Sequence, residues 1–262
     1  LLNDYESFKK EIYALTNIDL NAYKERQMKR RIDSLIKKNS YDDYVSYVKA
    51  LKTNKDLFEE FVNYLTINVS EFYRNPEQWK ILEDYVLPHL FNKAGKKVKI
   101  WSAACSTGDE PYSLVMLLSK FMPLSQIKII ATDIDKQVLS KAQLGLYTEK
   151  SLAALPVEFK EKYFRKVGTS SFQVIEDIKK CVEFKQHNLL KDEYPSQCDL
   201  IVCRNVLIYF TEDAKIEIYK KFNKGLKKEG ILFVGSTEQI IQPQVFKFSA
   251  FKSFFYQKEN DL

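Results

Sequence analysis

Two carboxylates, Asp109 and Glu110, stand at the head of a helical segment that follows a run of small residues in "IWSAACSTGDEPYS", and a third, Asp133, closes the next apolar segment, "IKIIATDI". The first stretch reads as a strand, a turn and a helix. Small side chains at Ser102, Ala103, Ala104, Cys105, Ser106, Thr107 and Gly108 let the main chain approach a ligand closely, and Asp133, 25 residues beyond Gly108, is placed to accept both hydroxyls of a ribose. The pattern predicts a nucleoside site. A dinucleotide turn carries GxGxxG so that helix-terminal N–H groups hold a pyrophosphate. Here there is one glycine, followed by two acids. At about 4 Å and an effective dielectric near 20, each contact between like charges costs on the order of 4 kcal/mol, more than a hydrogen bond returns. A phosphate-free nucleoside carrying positive charge suits the turn, and S-adenosylmethionine, with its sulfonium and ammonium, is such a molecule. The simpler alternative is that both acids only offset the helix dipole, at about 0.3 to 1 kcal/mol each, with Pro111 as a first-turn proline.

In an open parallel sheet, ligands bind beyond the carboxyl ends of the strands. Two more strand ends offer polar groups there: Asn188 and Leu189 in "HNLLKDEY", suited to an adenine edge and face, and Arg204 and Asn205 in "CRNVLIYF". Taken singly, each is an ordinary loop residue. Together, at the tips of consecutive strands, they extend the site.

The elements that must carry these residues are legible in the periodicity. To about residue 66, apolar positions recur at helical spacing with breaks near Asn17 and Asn39 to Tyr41, which predicts a small all-helical domain. In "LTINVSEFYRNPEQW", Asn75 is predicted to cap a helix with Pro76 in its first turn, ending near Leu87 before Pro88. Beyond Lys96, apolar strands ("VKIWSA", "IKIIATDI", "CDLIVCR", "GILFVG") alternate with helices ("PYSLVMLLSKF", "KQVLSKAQ", "EDAKIEIYKKFNKGL"), the mark of a parallel sheet covered on both faces. The aromatic end, "FKFSAFKSFFYQKE", predicts one or two edge strands, at least one antiparallel. The rhythm is interrupted between Leu144 and Val182 by a helical "SLAALPVEFKEKYF", a turn near Gly168 to Ser171 and a strand-like "FQVIEDI", long enough for a subdomain of its own. The expected division is 1–72 for the helical domain and junction and 73–262 for the α/β domain, with an insert at about 145–183.

Composition narrows the class. The chain has 262 residues, 45% hydrophobic and 29% charged, as expected of one or two globular domains. No apolar run reaches membrane-spanning length and the start, "LLNDYESFKKEIY", lacks signal-peptide character, so a cytoplasmic protein is expected. Cys105, Cys181, Cys198 and Cys203 form no CxxC pair and the two histidines stand apart, which predicts buried thiols and no metal site. The formal charge of +6 is nearly accounted for by "KERQMKRRIDSLIKK", Lys24 to Lys38, with seven bases and two acids. On a helix, Met28, Ile32, Leu35 and Ile36 share one face, Arg26, Arg30 and Lys37 lie opposite, and Lys29 and Arg31 flank them. The plain alternative is a solvated charged face.

Taken in order and spacing, "NVSEFYRN", "WSAACSTGDEPYS", "ATDID", "HNLL" and "CRNVLIYF" closely resemble the CheR family of chemotaxis receptor methyltransferases, along nearly the whole chain. The resemblance implies an α/β, Rossmann-like S-adenosylmethionine-dependent methyltransferase domain with an all-helical N-terminal domain and a small inserted β-subdomain. It further implies methyl transfer to glutamate side chains on the helical cytoplasmic region of chemoreceptors, with S-adenosylhomocysteine as product. Carried over by position, Asn68, Ser70 (often threonine in the family) and Arg74 join the cofactor site with Ala103. Glu110 takes the methionyl end, Asp133 the ribose, Asn188 and Leu189 the adenosine, and Arg204 and Asn205 complete the pocket. Arg74 and Tyr209 are the candidates for holding the substrate carboxylate; the alternatives are that Arg74 binds only the cofactor carboxylate and that Tyr209 is core. Asp109 stands where glutamate is frequent.

Arg26, Lys29, Arg30, Arg31 and Lys37 gain a candidate partner in the acidic receptor helix. Family members that tether to a receptor tail peptide have a longer, glycine-containing loop where this chain has "VGTSSFQV", so an untethered enzyme is expected. A monomer is expected, with no nucleic acid or membrane insertion. The alternatives are an RNA methyltransferase, disfavoured because bases do not recur around the acidic "GDEPYS", and a non-catalytic S-adenosylmethionine sensor.

Overall fold

The computed structural model describes residues 4–95 and 97–262. Residues 1–3 of the expected N-terminal domain, and Lys96, where the α/β alternation is expected to begin, lie outside them. The chain forms two compact units: one runs to Asn68 and takes in Tyr209–Ile216, and the other comprises Val69–Ile208 and Glu217–Leu262.

The first unit is built from four helices, α1 (Tyr5–Thr16), α2 (Glu25–Lys38), α3 (Tyr44–Thr53) and α4 (Lys55–Thr66). Their starts are set by side chains that satisfy exposed helix N–H groups: Asp4 accepts from Ser7 N at 2.7 Å, Asp43 from Ser46 N at 2.8 Å and Asn54 from Leu57 N at 3.1 Å. Asn17 ends α1 in the left-handed conformation, at the break read from the sequence. The core is aromatic: Phe8, Tyr47 and Phe61 are fully buried, with Phe61 edge-on to both Phe8 and Tyr47. Tyr209–Ile216 joins this unit through main-chain bonds from Lys24 N to Tyr209 O and from Thr211 N to Ala22 O, and through the Tyr23–Phe210 ring contact at 4.9 Å.

The second unit begins with a broken helix. The predicted stop before Pro88 does not occur: α5 (Pro76–Ile81) passes through a π turn over Leu82–Val86 into α6 (Leu87–Ala94). The Leu87 N–H reaches back five residues to Leu82 O, and this wide turn lets Pro88, which lacks an N–H, sit in the first turn of α6. Asn75 also departs from expectation. It occupies the cap position in the left-handed conformation without a side-chain cap bond, because its Oδ1 accepts from Arg204 Nη2 at 3.2 Å instead.

Then come β1 (Ile100–Ala103), α7 (Asp109–Leu118), β2 (Ile129–Asp133) and α8 (Lys136–Leu144). The insert follows as β3 (Leu146–Thr148), α9 (Val157–Tyr163), β4 (Phe164–Val167), β5 (Ser171–Val174) and α10 (Glu176–Lys179). The strand-like "FQVIEDI" is thus strand only to Val174, and its acidic end starts a short helix. The chain closes with β6 (Val182–Gln186), β7 (Cys198–Cys203), α11 (Glu212–Gly225), β8 (Leu226–Val234), β9 (Phe248–Lys252) and β10 (Phe255–Lys258).

The main sheet has the order β6-β2-β1-β7-β8-β10-β9, with β6, β2, β1, β7 and β8 parallel and β10 antiparallel to both neighbours. β7 is buried at all six positions, which explains its unbroken apolar run. The insert forms its own antiparallel sheet, β3-β5-β4. Strand order reverses at β1, which pairs with β2 on one side and β7 on the other, and the carboxyl ends of strands at such a reversal are where open α/β sheets bind ligands.

Candidate active site

The β1 tip explains why one glycine suffices. Three of the five residues after the strand, Ala104, Ser106 and Gly108, have φ values of 59°, 49° and 90°, and this winding turns the Ser106 N–H onto Asp133 Oδ2 at 2.8 Å. Gly108 is required by packing: a Cβ there would lie 2.9 Å from Ala142 Cβ and 3.1 Å from Tyr147 Oη. Asp133 also accepts from Asp135 N at 3.0 Å on Oδ1. With a further main-chain contribution from Ile134, the carboxylate still keeps part of its roughly four acceptor sites for a ribose hydroxyl. Burial raises the Asp133 pKa to about 6 despite those N–H bonds.

Of the paired acids, Asp109 turns into the fold. Its carboxylate accepts from Thr107 Oγ1 at 2.5 Å and from the Ser70 hydroxyl, which ties the junction motif to the turn. Glu110 instead faces Arg204. Its Oε1 accepts from Ser102 Oγ at 2.8 Å, and its Oε2 lies 3.6 Å from Arg204 Nη1, both side chains being largely buried. Burial raises the Glu110 pKa, opposed by Arg204. Arg204 lies over the rings of Phe233, at 4.7 Å, and Trp79, at 5.7 Å. Its Nη2 donates to Arg74 O at 2.7 Å and Gln78 Oε1 at 2.8 Å. Burial, with the like charge of Arg74 nearby, lowers the Arg204 pKa. Arg74 is itself oriented by a bond from Nη1 to Val69 O at 3.3 Å.

At the β6 tip, Asn188 Oδ1 accepts from Leu190 N at 2.9 Å, a local turn that presents the buried Leu189. Register sets Asp133 opposite Gln186, and the His187 N–H bonds to Asp133 O, so this tip adjoins Asp133. Asn205, at the β7 tip, is left-handed with φ 61°. Ser70, Arg74, Ala103, Glu110, Asp133, Asn188, Leu189, Arg204 and Asn205 all belong to the second unit; Asn68 and Tyr209 belong to the first. There Asn68 Nδ2 donates to Thr66 Oγ1 at 2.8 Å. Sequence reading missed Gln78, which holds Arg204, and Glu238, whose carboxylate accepts main-chain N–H groups from the β7 tip. The signal for Glu238 was an acid just past the carboxyl end of an apolar strand, in "GSTEQI".

The α2 face divides as its periodicity predicts, with Met28, Ile32, Leu35 and Ile36 buried. Arg31 is committed within the fold: it donates to Tyr64 O at 2.8 Å and stacks over the Tyr64 ring at 4.5 Å. Arg26, Arg30 and Lys37 are exposed and make no ion pair among the described residues. Lys24, Arg30, Arg31, Tyr64 and Tyr209 help line a cleft of about 400 Å³ in this unit.

S-adenosylmethionine fits the second unit's residues on their own chemistry. Burial raises the pKa of Glu110 and Asp133, and a ligand that brings an ammonium and ribose hydroxyls offsets that cost. Ser106 Oγ next to Asp133, Arg204 Nε next to Glu110, and Nε2 of Gln78, which holds Arg204, are buried with no hydrogen-bond partner among the described residues. Parallel strands whose tips gather Asp133, Glu110 and Arg204 are the frame of an S-adenosylmethionine-dependent methyltransferase.

Residues 68–255 match the family described as CheR methyltransferase, SAM binding domain, and residues 3–66 match its all-alpha domain. The chain belongs to the CheR methyltransferase family. It is 40% identical over 258 residues to the chemotaxis protein methyltransferase of Listeria monocytogenes and 39% identical to that of Listeria innocua, covering 98% of each chain in both pairs. It is 34% identical to the chemotaxis protein methyltransferase of Borreliella burgdorferi, over 88% of this chain and 86% of that one. Among the described residues no helix is long and apolar enough to cross a membrane.

Proposed function

We propose that the enzyme methylates glutamate side chains in the helical cytoplasmic region of chemoreceptors, the covalent step of sensory adaptation. Arg74 carries this conclusion: its guanidinium bonds Val69 O at 3.3 Å and makes no ion pair among the described residues, while Glu110 pairs with Arg204. A guanidinium without a carboxylate partner suits an acceptor that arrives as an anion. S-adenosylmethionine, when bound, supplies an electrophilic methyl group on a sulfonium. A glutamate with a pKa of about 4.3 is already ionised at pH 7 and needs no general base. The chain's task is alignment at about 3 to 3.5 Å, which can supply roughly 7 to 11 kcal/mol of the barrier.

Arg74 and Tyr209 hold the substrate carboxylate, by a charge-assisted bond and a hydroxyl bond. Glu110 takes the cofactor ammonium, Asp133 the ribose, and Asn188 and Leu189 the adenosine, with Asn68, Ser70, Ala103, Arg204 and Asn205 completing the pocket. Arg26, Lys29, Arg30 and Lys37 steer and dock the acidic receptor helix, without Arg31, which Tyr64 holds. The enzyme works as a cytoplasmic monomer and without a receptor-tail tether, since only Gly168 to Ser170 separate β4 from β5. Micromolar binding of a receptor-tail pentapeptide by calorimetry would refute the untethered mode. Labelled cofactor incubated with receptor-containing membranes tests the whole proposal: label released as methanol by base means a carboxyl ester, and base-stable label refutes it.

A further inference from the structure

Glu238 follows β8 and has no binding role in the scheme above, yet its carboxylate is the most heavily hydrogen-bonded in the site region. It is 5% exposed and accepts four main-chain N–H groups: Leu207 at 2.6 Å and Ile208 at 3.3 Å on Oε1, Asn205 at 2.6 Å and Gly235 at 2.8 Å on Oε2. Burying a carboxylate costs several kcal/mol unless donors replace water, and two donors on each oxygen fill its roughly four acceptor sites. An acid here is therefore matched to one shape of one loop. That loop includes a left-handed residue, Asn205, with a φ of 61°. Asn adopts this conformation more readily than other non-glycine residues, and the N–H bonds to Glu238 select it.

Gly235 makes room for the arrangement. A Cβ there would fall 2.5 Å from Glu238 Oε2 and 2.9 Å from Asn205 N. The register that pairs Cys203 with Val234 brings the two strand tips together, so the acid after one strand reaches the loop after the other. Arg204, one residue earlier, is anchored separately, by Arg74 O, Asn75, Gln78 and the Trp79 and Phe233 rings. The position of Arg204 therefore has anchors of its own, while the Glu238 charge acts on both Arg204 and Glu110.

We propose that Glu238 is a positioning residue, a buried carboxylate that fixes Asn205–Ile208, the segment between Arg204 and Tyr209, in the geometry methyl transfer requires. This rests on the assignment of Asn205 and Tyr209 to the site. Glu238→Gln keeps the volume but sets an amide NH₂ against N–H donors. Gly235→Ala displaces the carboxylate while leaving its charge.

In both variants, hydrogen exchange of a peptide spanning residues 204–209 should speed up about tenfold or more. Turnover at saturating cofactor, per S-adenosylhomocysteine site counted by calorimetry, should fall about ten- to hundredfold, as expected of a misplaced group. Counting sites removes misfolded protein from the comparison. Unchanged exchange overturns the proposal, and so does faster exchange with wild-type turnover per site, since Glu238 would then only stabilise the fold. If the wild-type enzyme placed no base-labile methyl on receptors, the glutamate assignment would fail by itself, and the exchange result would still decide whether Glu238 holds the loop.

Discussion

Glu110→Gln removes one charge from the site and changes little else in shape. Glu110 keeps Ser102 Oγ at 2.8 Å on one oxygen and faces Arg204 Nη1 at 3.6 Å with the other, so acceptor capacity remains for a ligand ammonium. At about 3 Å and an effective dielectric near 20, that ammonium and the carboxylate attract by about 5 kcal/mol, much of it offset by desolvation. The net worth of a hydrogen bond between charged groups is about 1.5 to 3 kcal/mol. S-adenosylhomocysteine should therefore bind the variant about 10- to 100-fold more weakly by calorimetry. Methylthioadenosine, which lacks the amino-acid end, should bind variant and wild type alike. Arg204 also loses its carboxylate partner, and breaking a buried pair typically costs about 3 to 5 kcal/mol, so the free variant should melt roughly 6 to 20 °C lower. An equal loss for both ligands, or a loss below about threefold for S-adenosylhomocysteine, would refute the assignment of Glu110 to the methionyl end.

Because burial lifts Asp133 to about 6, it holds its proton longer in the fold than in the unfolded chain, whose value is near 3.8. A raised acid contributes stability that is present below the unfolded pKa and lost as pH rises through about 6, up to about 3 kcal/mol for this one group. Ribose needs the ionised form, so calorimetric affinity for S-adenosylhomocysteine should be flat above pH 6 and fall up to about tenfold per unit below it; a flat profile down to pH 5 would contradict the ribose role. Charge reversal at Arg30 and Lys37 should lower receptor methylation and flatten its salt dependence, whereas unchanged rates would leave α2 a solvated face. Arg74→Ala should lower turnover at saturating cofactor by about 10²-fold or more; lost cofactor affinity with intact turnover would confine Arg74 to the cofactor carboxylate.

What could be read from the sequence was whatever one element states by itself. β7 showed as an apolar run because all six residues are buried, and the α2 stripe showed because Met28, Ile32, Leu35 and Ile36 repeat at helical spacing. The acids of the β1 turn were legible by charge. What was not legible depends on a distant partner. Asn75 resembles a helix cap, but Arg204 draws its side chain away, and Pro88 resembles a stop until the π turn ahead of it absorbs the missing N–H. Arg31 reads as a flank cation, yet Tyr64 on α4 takes it. Glu238 acts on backbone N–H groups some 30 residues earlier, and main-chain partners leave no residue-type signature in a single sequence.

The central claim is that the methyl acceptor is a receptor glutamate carboxylate, and one comparison tests it most directly. Two forms of the same receptor fragment, one with its glutamates intact and one with each acceptor Glu replaced by Gln, are incubated with the enzyme and labelled S-adenosylmethionine. Base-labile label on the first and none on the second is the predicted result; equal label on both would contradict it.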